Sequence, residues 1–558
     1  MTARRAGASV CRPGQVRSGS HGPRRRIGLA GRARVSRKRM KGESMVERER
    51  FRPERCVMVI FGASGDLTQR KLAPALYNLA REGLLPDRTV LLGYGRTEMT
   101  DAAFRRRLRE SVSRFSRTQP IVEGAWEALA GRIFYQQGAY DEAEGYRRLQ
   151  RRLRQLDRKF DTGGNRVFYL AIPPSVVLPI LENLSAAHSL DRRPRCDEEG
   201  ACYLRAVFEK PFGHDLDSAR RLDNEIERLL AESQVFRMDH YLGKETVQNI
   251  SVLRFANSIF ENVWSAQCVR YIRVTVAEML GMEGRGSYFD PVGILRDILQ
   301  NHVLQLLTLV TMEPPASLAP DAIRDEKVKV LRCLRRLEGD EVRRSAVRGQ
   351  YGRGMLDGRE VPAYHEEEGV AHDSNTETFV GLRTYIDNWR WAGVPIYLCA
   401  GKRLAATLTE VAVEFKEVPS ILFGAMEGVE LKPNRLKLRI QPDEGVSLRF
   451  ASKVPGLGLE LKNVEMDFPY GSAFPAASPE AYERLLLDVI AGNSALFARR
   501  DEVELAWEFA TSILEAWEQQ PAPDFPNYAP GTWGPIPPER FFSPEAVYSD
   551  VLSPRADL

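Results

Sequence analysis

Asp239 to Lys244, in the stretch RMDHYLGKE, set a carboxylate, an imidazole, a phenol and an amine within six positions. Only seven of the 558 residues are histidine, so its presence there is informative. A solvated helix face needs charges alone, and a core takes neither Asp nor Lys. Such a set can move a proton and bind an anion, so the stretch marks a site.

A second stretch, VIFGASGDLTQRKLAPALY, runs in the order apolar strand, glycine turn, helix. Gly62 and Gly65 let the backbone approach a pyrophosphate, and the helix start offers free N–H groups and a positive dipole end. The fingerprint G-x-G-x-x-G is incomplete, with Ser64 and Leu67 at its later glycine positions. After the next strand, TVLLGYG, no acid stands ready for a ribose 2′-hydroxyl. Arg96 is there instead, which suits a 2′-phosphate and favours NADP over NAD.

The elements that must carry these residues follow from patterning. CVMVIFG, TVLLGYG, RVFYLAIPP and YLRAVFEKPFG are short buried strands, separated by helical runs such as SVVLPILENLSAAHS. That alternation predicts an α/β Rossmann-like domain, a doubly wound, mostly parallel sheet, over 51–243. Beyond it, KETVQNISVLRFANSIFENVW and VGILRDILQNHVLQLLTLVTM read as long helices. RYIRVTVAEM, ETFVGLRTYIDN, EVAVEFKEV and NRLKLRIQPDEGVSLRF read as strands without intervening helices. Residues 244–558 are thus expected to form an α+β domain, a large, mainly antiparallel sheet with helices on one face.

Residues 1–50 are expected to be a disordered basic extension. Thirteen Arg/Lys stand against Glu43 in residues 1–44, so the chain's net +5 divides into +12 there and −7 over 45–558. The folded part is acidic, which excludes nucleic-acid binding through it. Three readings of the tail stay open: an organelle transit peptide, a basic arm for polyanions, and a dispensable leader before a functional start at Met45. The seven cysteines are odd in number and lack C-x-x-C spacing, against zinc or a disulfide framework and for a reducing, cytoplasmic compartment. No apolar run approaches the roughly 20 residues a membrane helix needs, and no metal is expected.

Four ordered stretches, GASGDLTQRKL, EKPFG, RMDHYLGKE and RDILQNH, together resemble the glucose-6-phosphate dehydrogenase family. VLRFANSIFENVW, EGRGSYFDPVGILRD and RDEKVKVLR are similar to that family too, so the resemblance runs from about Val57 to Phe541. It implies oxidation of β-D-glucose 6-phosphate at C1 to the 6-phosphoglucono-δ-lactone, with hydride passing to NADP⁺. NAD is the weaker cofactor option. A dehydrogenase of a related sugar phosphate and an inactive NADP-binding relative are the alternatives.

By this resemblance His302 is the base and Asp239 its partner, so the two should meet across 63 positions. His240, Tyr241 and Lys244 hold the substrate phosphate, with His240 and Lys244 on one face if the segment is helical. Lys402 approaches from the second domain. Lys210 lies between sugar and nicotinamide, and its bond to Pro211 is expected to be cis. Glu278 and Asp297 bind sugar hydroxyls. Gly62, Ala63, Ser64, Gly65, Asp66 and Leu67 line the cofactor, with Lys71 and Arg96 beside it. A homo-oligomer, dimer or tetramer, is implied. The chain departs from the pattern at Cys399 and Ala400, where family members carry Arg before the Gly-Lys of Lys402, and at Thr407 in place of a second basic residue. Val177 replaces a cofactor-contacting tyrosine, and Met238 replaces Ile.

Overall fold

A computed structural model describes residues 54–192, 202–419, 421–423, 431–473, 478–521 and 523–536. The basic tail lies outside them.

Two sheets organise these residues. Val57–Phe61 is buried at every position, because successive side chains point to opposite faces and both faces are covered. Met58 and Ile60 join Leu76, Leu79 and Leu486 on one side. Val57, Val59 and Phe61 join Leu149, Leu153 and Leu181 on the other. The sheet has seven strands, in the order Phe497–Ala498, Val235–Met238, Leu204–Glu209, Arg166–Leu170, Val57–Phe61, Val90–Gly95, Ile133–Gln137. All pairings are parallel except that of Phe497–Ala498. The expected doubly wound sheet is present, with three strands beyond the four read from sequence. Strand order reverses beside Val57–Phe61, and ligands of such folds sit at that reversal, outside the strands' carboxyl ends.

The second sheet has eight strands, in the order Leu461–Pro469, Gly445–Lys453, Arg435–Gln441, Leu408–Phe415, Val269–Ala277, Ile396–Gly401, Phe379–Thr384, Ala346–Gly349. It is antiparallel apart from one central pair, Val269–Ala277 with Ile396–Gly401. Leu295, Leu299, Val303 and Leu307 pack on its inner face against Ile272, Val274 and Leu398.

The long helices expected from sequence are interrupted. Residues 292–312 hold a π-helix, Leu295–Val303, that tightens into an α-helix, Leu304–Thr311. The run from Lys244 forms Glu245–Phe255, then breaks at extended Asn257 before Ser258–Glu261. The chain also returns to the first sheet late. Helix Ala481–Ala491 packs Leu485, Leu486 and Val489 beside Met58 and Phe236. Phe497 then meets Phe236 edge-on at 4.9 Å. Among the described residues no helix is long and apolar enough to cross a membrane.

Candidate active site

Each site residue of the first sheet stands at or just past the carboxyl end of a parallel strand. Gly62 follows Val57–Phe61, Arg96 follows Val90–Gly95, Lys210 follows Leu204–Glu209, and Asp239 follows Val235–Met238. In-register parallel strands end at one edge, so four separated stretches converge there.

The second sheet contributes through its parallel pair. Glu278 follows Val269–Ala277 and Lys402 follows Ile396–Gly401, so both leave the sheet at one edge. The Glu278 amide donates to Gly401 O at 2.9 Å. Lys402 Nζ donates to Glu278 Oε2 at 2.5 Å and lies over the Phe289 ring. An antiparallel pairing would have sent these residues to opposite edges.

Asp297 and His302 come from the π-helix. Its i→i+5 bonding sets residues five apart one turn apart, where an α-helix would turn them to different faces. Asp297 Oδ1 and its backbone carbonyl accept from Lys210 Nζ at 3.1 and 2.7 Å. The Asp239–His302 meeting expected from the family pattern is present: His302 Nδ1 lies 2.5 Å from Asp239 Oδ1. Both are buried, at 1% and 3% exposure. The Tyr241 ring stacks on the imidazole, with centroids 4.1 Å apart, and His240 meets it edge-on at 4.7 Å.

Burial disfavours the imidazolium and outweighs the Asp239 carboxylate, so His302 titrates below its ordinary value. Burial also works against an ionised Asp239. His302 and the Tyr241 N–H nevertheless hold it well below the usual carboxylate range. The dyad therefore rests as carboxylate and neutral imidazole. With Nδ1–H donated to Asp239, Nε2 keeps its lone pair for a substrate proton. Asp239 Oδ2 is buried and has no hydrogen-bond partner among the described residues. Asp239, His240 and His302 each place one donor atom within 4.8 Å of the others, a metal-like spacing in which the Asp239–His302 hydrogen bond already uses two atoms.

The trio His240, Tyr241 and Lys244, expected to hold a phosphate, is arranged differently from an α-helical face. His240–Gly243 is a single 3₁₀ turn, and Lys244 is the extended residue before helix Glu245–Phe255. In such a turn residues three apart align, so i,i+4 spacing is not what groups His240 with Lys244. Tyr241 connects them: His240 packs on its ring edge and Lys244 Nζ lies 5.0 Å from its centroid. Lys244 also donates to Gln441 Oε1, while Tyr241 Oη lies 3.3 Å from Thr409 Oγ1. Burial lowers the pKa of Lys244, and that of His240 further with His302 adding to the effect; it pushes the Tyr241 phenol up to about 12. Lys210 keeps its proton because Asp297 overcomes burial, and Asp297 stays ionised beside Lys210 and Lys402.

The glycine turn fits a dinucleotide. Gly62 has φ +80°, and a Cβ there would stand 2.0 Å from Ala171 O, so only glycine permits this approach of strand ends. The Gly65 amide donates to Gly62 O at 2.8 Å, and the Thr68 hydroxyl donates to the same carbonyl, closing the turn. Ala63 is buried beneath it, Ser64 Oγ lies 3.3 Å from Thr97 Oγ1, and Asp66 accepts from Arg70 at 2.7 Å. Leu67 leads into the π-helical turn Thr68–Leu72, where Lys71 pairs with Glu480 at 3.4 Å. Arg96 is exposed, with its guanidinium 5.8 Å from the Tyr140 ring centroid, a flat cationic platform past the second strand.

The Lys210–Pro211 peptide is cis, as expected. At the departures, Cys399 and Ala400 are buried in their strand, and Thr407 Oγ1 accepts the Met279 amide at 3.1 Å. Val177 is buried at the start of a helix, and Met238 Sδ accepts from the Tyr169 hydroxyl at 3.1 Å. Sequence reasoning missed Glu209, Tyr169 and Tyr482, which cluster behind the dyad. Glu209 sat inside the quoted EKPFG without a role, and nothing local marked the tyrosines.

Two family models match the chain. One, described as glucose-6-phosphate dehydrogenase, NAD binding domain, covers residues 59–249. The other, glucose-6-phosphate dehydrogenase, C-terminal domain, covers 251–547. A glucose-6-phosphate 1-dehydrogenase of Chlamydia pneumoniae is 46% identical over 482 residues, 86% of this chain and 93% of that protein. Glucose-6-phosphate 1-dehydrogenase 2 of Mycobacterium bovis is 46% identical over 480 residues, 86% and 91%. Among solved structures, a glucose-6-phosphate dehydrogenase in complex with its substrate glucose-6-phosphate superposes with TM-score 0.79 at 36% identity, covering 88% of this chain and 97% of that one. The Mycobacterium avium glucose-6-phosphate 1-dehydrogenase gives 0.72 at 36% identity, covering 87% and 95%.

Proposed function

The chain belongs to the glucose-6-phosphate dehydrogenase family, and from that premise we propose how its own residues perform the reaction. The enzyme oxidises β-D-glucose 6-phosphate at C1 to 6-phosphoglucono-δ-lactone. NADP⁺, when bound, accepts the hydride from C1. His302 Nε2 takes the C1 hydroxyl proton as that hydride leaves, which requires a neutral imidazole at working pH. Asp239 fixes the tautomer through Nδ1 and stabilises the imidazolium that forms. The observation that carries this reading is the 2.5 Å contact between Asp239 and His302, 63 positions apart in sequence.

His240, Tyr241 and Lys244 donate to the substrate phosphate, and Lys402 closes on it from the second sheet. Lys210 and Asp297, paired at the sheet edge, hold sugar hydroxyls near C1, with Glu278 as a further acceptor. Gly62 to Leu67 carry the cofactor pyrophosphate, Lys71 lies beside it, and Arg96 receives the 2′-phosphate.

Residues 51–243 form the dinucleotide domain and 244–558 the substrate domain, with residues 481–498 returning to complete the first sheet. The second sheet serves a homo-oligomer interface, and the enzyme works in the cytoplasm. The deciding experiment compares wild type with His302→Asn on glucose 6-phosphate and NADP⁺. The expected result is a kcat loss of about 10²–10⁴-fold with near-normal KM. A variant that keeps most of its turnover overturns the assignment of the base.

A further inference from the structure

Glu209 ends the strand Leu204–Glu209, immediately before Lys210, and no step above uses it. Its Oε1 accepts from the Tyr169 hydroxyl at 2.5 Å and from the Tyr482 hydroxyl at 3.3 Å. Tyr169 comes from the neighbouring strand Arg166–Leu170 and is fully buried. The same hydroxyl touches Met238 Sδ, in the residue just before Asp239. Tyr482 comes from the returning helix Ala481–Ala491, and its ring lies nearly parallel to His240, 13° between planes with centroids 6.3 Å apart. One carboxyl thus gathers two phenols from distant parts of the chain, and one of those phenols backs the His240 ring.

We propose that Glu209 is a positioning residue of this reaction: it clamps Tyr169 and Tyr482 and so fixes the His240 ring on one side and the start of the Lys210–Pro211 turn on the other. This rests on the reading that His240 serves the substrate phosphate and His302 is the base. The physical ground is that a buried phenol needs an acceptor, and one left without it keeps the full cost of its lost hydration. A second ground is geometric. The helix bearing Tyr482 is held by apolar contacts, by Arg205 donating to Val489 O and Ile490 O, and by Glu483 accepting from Asn78 and Arg117. These fix the helix but not the rotation of the Tyr482 ring about its own side-chain bonds. Directional bonds to Glu209 supply that rotation.

The titratable and charged groups facing Glu209 are Tyr169, Tyr482, its chain neighbour Lys210, and Asp239 from the adjacent strand end. Burial pushes its carboxyl up to about 7, more than the two phenols and Lys210 lower it. The clamp therefore changes charge in the working pH range. Neutral Glu209 and a glutamine both accept from phenols, so Glu209→Gln keeps the clamp and removes the charge change.

The test is steady-state kinetics on the full chain between pH 5.5 and 9, varying glucose 6-phosphate at saturating NADP⁺, with Glu209→Gln, Tyr482→Phe and the double variant. At pH 7, Glu209→Gln is expected within about threefold of wild type in kcat/KM, and its pH profile lacks the wild-type inflection near 7. Tyr482→Phe raises KM for glucose 6-phosphate by about five- to tenfold with kcat within about twofold, as loss of one hydrogen bond predicts. The double variant is no worse than Tyr482→Phe, since both changes act on one interaction. Superimposable pH profiles for wild type and Glu209→Gln, or losses that simply multiply, overturn the proposal. If Glu209→Gln does not fold, Tyr482→Phe decides alone, and an unchanged KM overturns it. A parallel His302→Asn arm reads kcat. Its failure would fall on the base assignment, whereas the Glu209 proposal is read in KM and in the shape of the pH profile.

Discussion

The glycine turn and the dyad region both stand at a sheet edge but are built by opposite physical means. The turn uses backbone: Gly62, its φ of +80° and a helix start lie in one short stretch, with exposed Arg96 added from the next strand. The dyad region uses buried side chains that ionise against one another, drawn from two sheets, a π-helix and a returning helix. A site made of backbone is sensitive to shape and indifferent to pH. One made of mutually held titratable groups should be sensitive to charge state and tolerant of small changes in shape. Substitutions on each side test that contrast.

The largest effect is expected at the dyad. Asp239→Asn keeps the volume but removes the charge and favours the wrong tautomer, so kcat should fall about 10²–10⁴-fold. NADP⁺ affinity, followed by fluorescence titration, should stay near wild type. A cofactor Kd that moved with kcat would break the separation of the two regions.

A pH experiment on stability comes next. The Glu209 carboxyl titrates at about 7 in the folded chain against an ordinary 4.5. Below about 4.5 it is protonated in both states and costs nothing. As pH rises from there toward 7 the unfolded chain releases the proton and the folded chain keeps it, so stability falls, by on the order of 2–3 kcal/mol. Urea midpoints across that window should show this slope in wild type and lose it in Glu209→Gln. Equal slopes would sharpen the comparison against Glu209.

The turn should answer to shape. Gly62→Ala places a Cβ 2.0 Å from Ala171 O at a left-handed φ. The φ alone costs about 1–3 kcal/mol, and the overlap in addition forces the backbone at residue 62 away from Ala171. NADP⁺ Kd should rise about 10–100-fold, with the loss nearly constant across pH. A pH-dependent loss would contradict the contrast. The smallest effect is at Arg96. Arg96→Ala should lower the preference for NADP⁺ over NAD⁺ by about tenfold, roughly 1.4 kcal/mol, with weaker dependence on salt than wild type.

Sequence legibility follows the same division. Val57–Phe61, the turn and the helix after it are contiguous, so apolar run, glycines and helical spacing could be read directly, as could Arg96 one strand on. The strand Ile133–Gln137 was less legible, because only three of its five residues are buried. Phe497–Ala498 is two residues long and pairs with Met238 and Arg237 at the sheet edge, with the Phe497 ring against Phe236. Apolar spacing over nine residues distinguishes a π-helix from an ordinary helix poorly, so Leu295–Val303 carries no sequence mark of its i→i+5 bonding. His240, Tyr241 and Lys244 do lie together, but through the Tyr241 ring and not through an i,i+4 helical face, which the 3₁₀ turn does not have.

By itself the sequence determined the two sheet classes, the dinucleotide turn and, through ordered motifs, the family. Those are consequences of local periodicity and of residues adjacent in the chain. Tertiary structure alone decided that Glu278 meets Lys402, that Asp297 meets Lys210, and that Tyr482 returns behind His240 to share Glu209 with Tyr169. Each depends on where parallel strands end, how many residues a helical turn contains, or where an apolar helix finds its sheet. Local patterning does not encode these, because they are settled only when the two sheets and the helices between them pack.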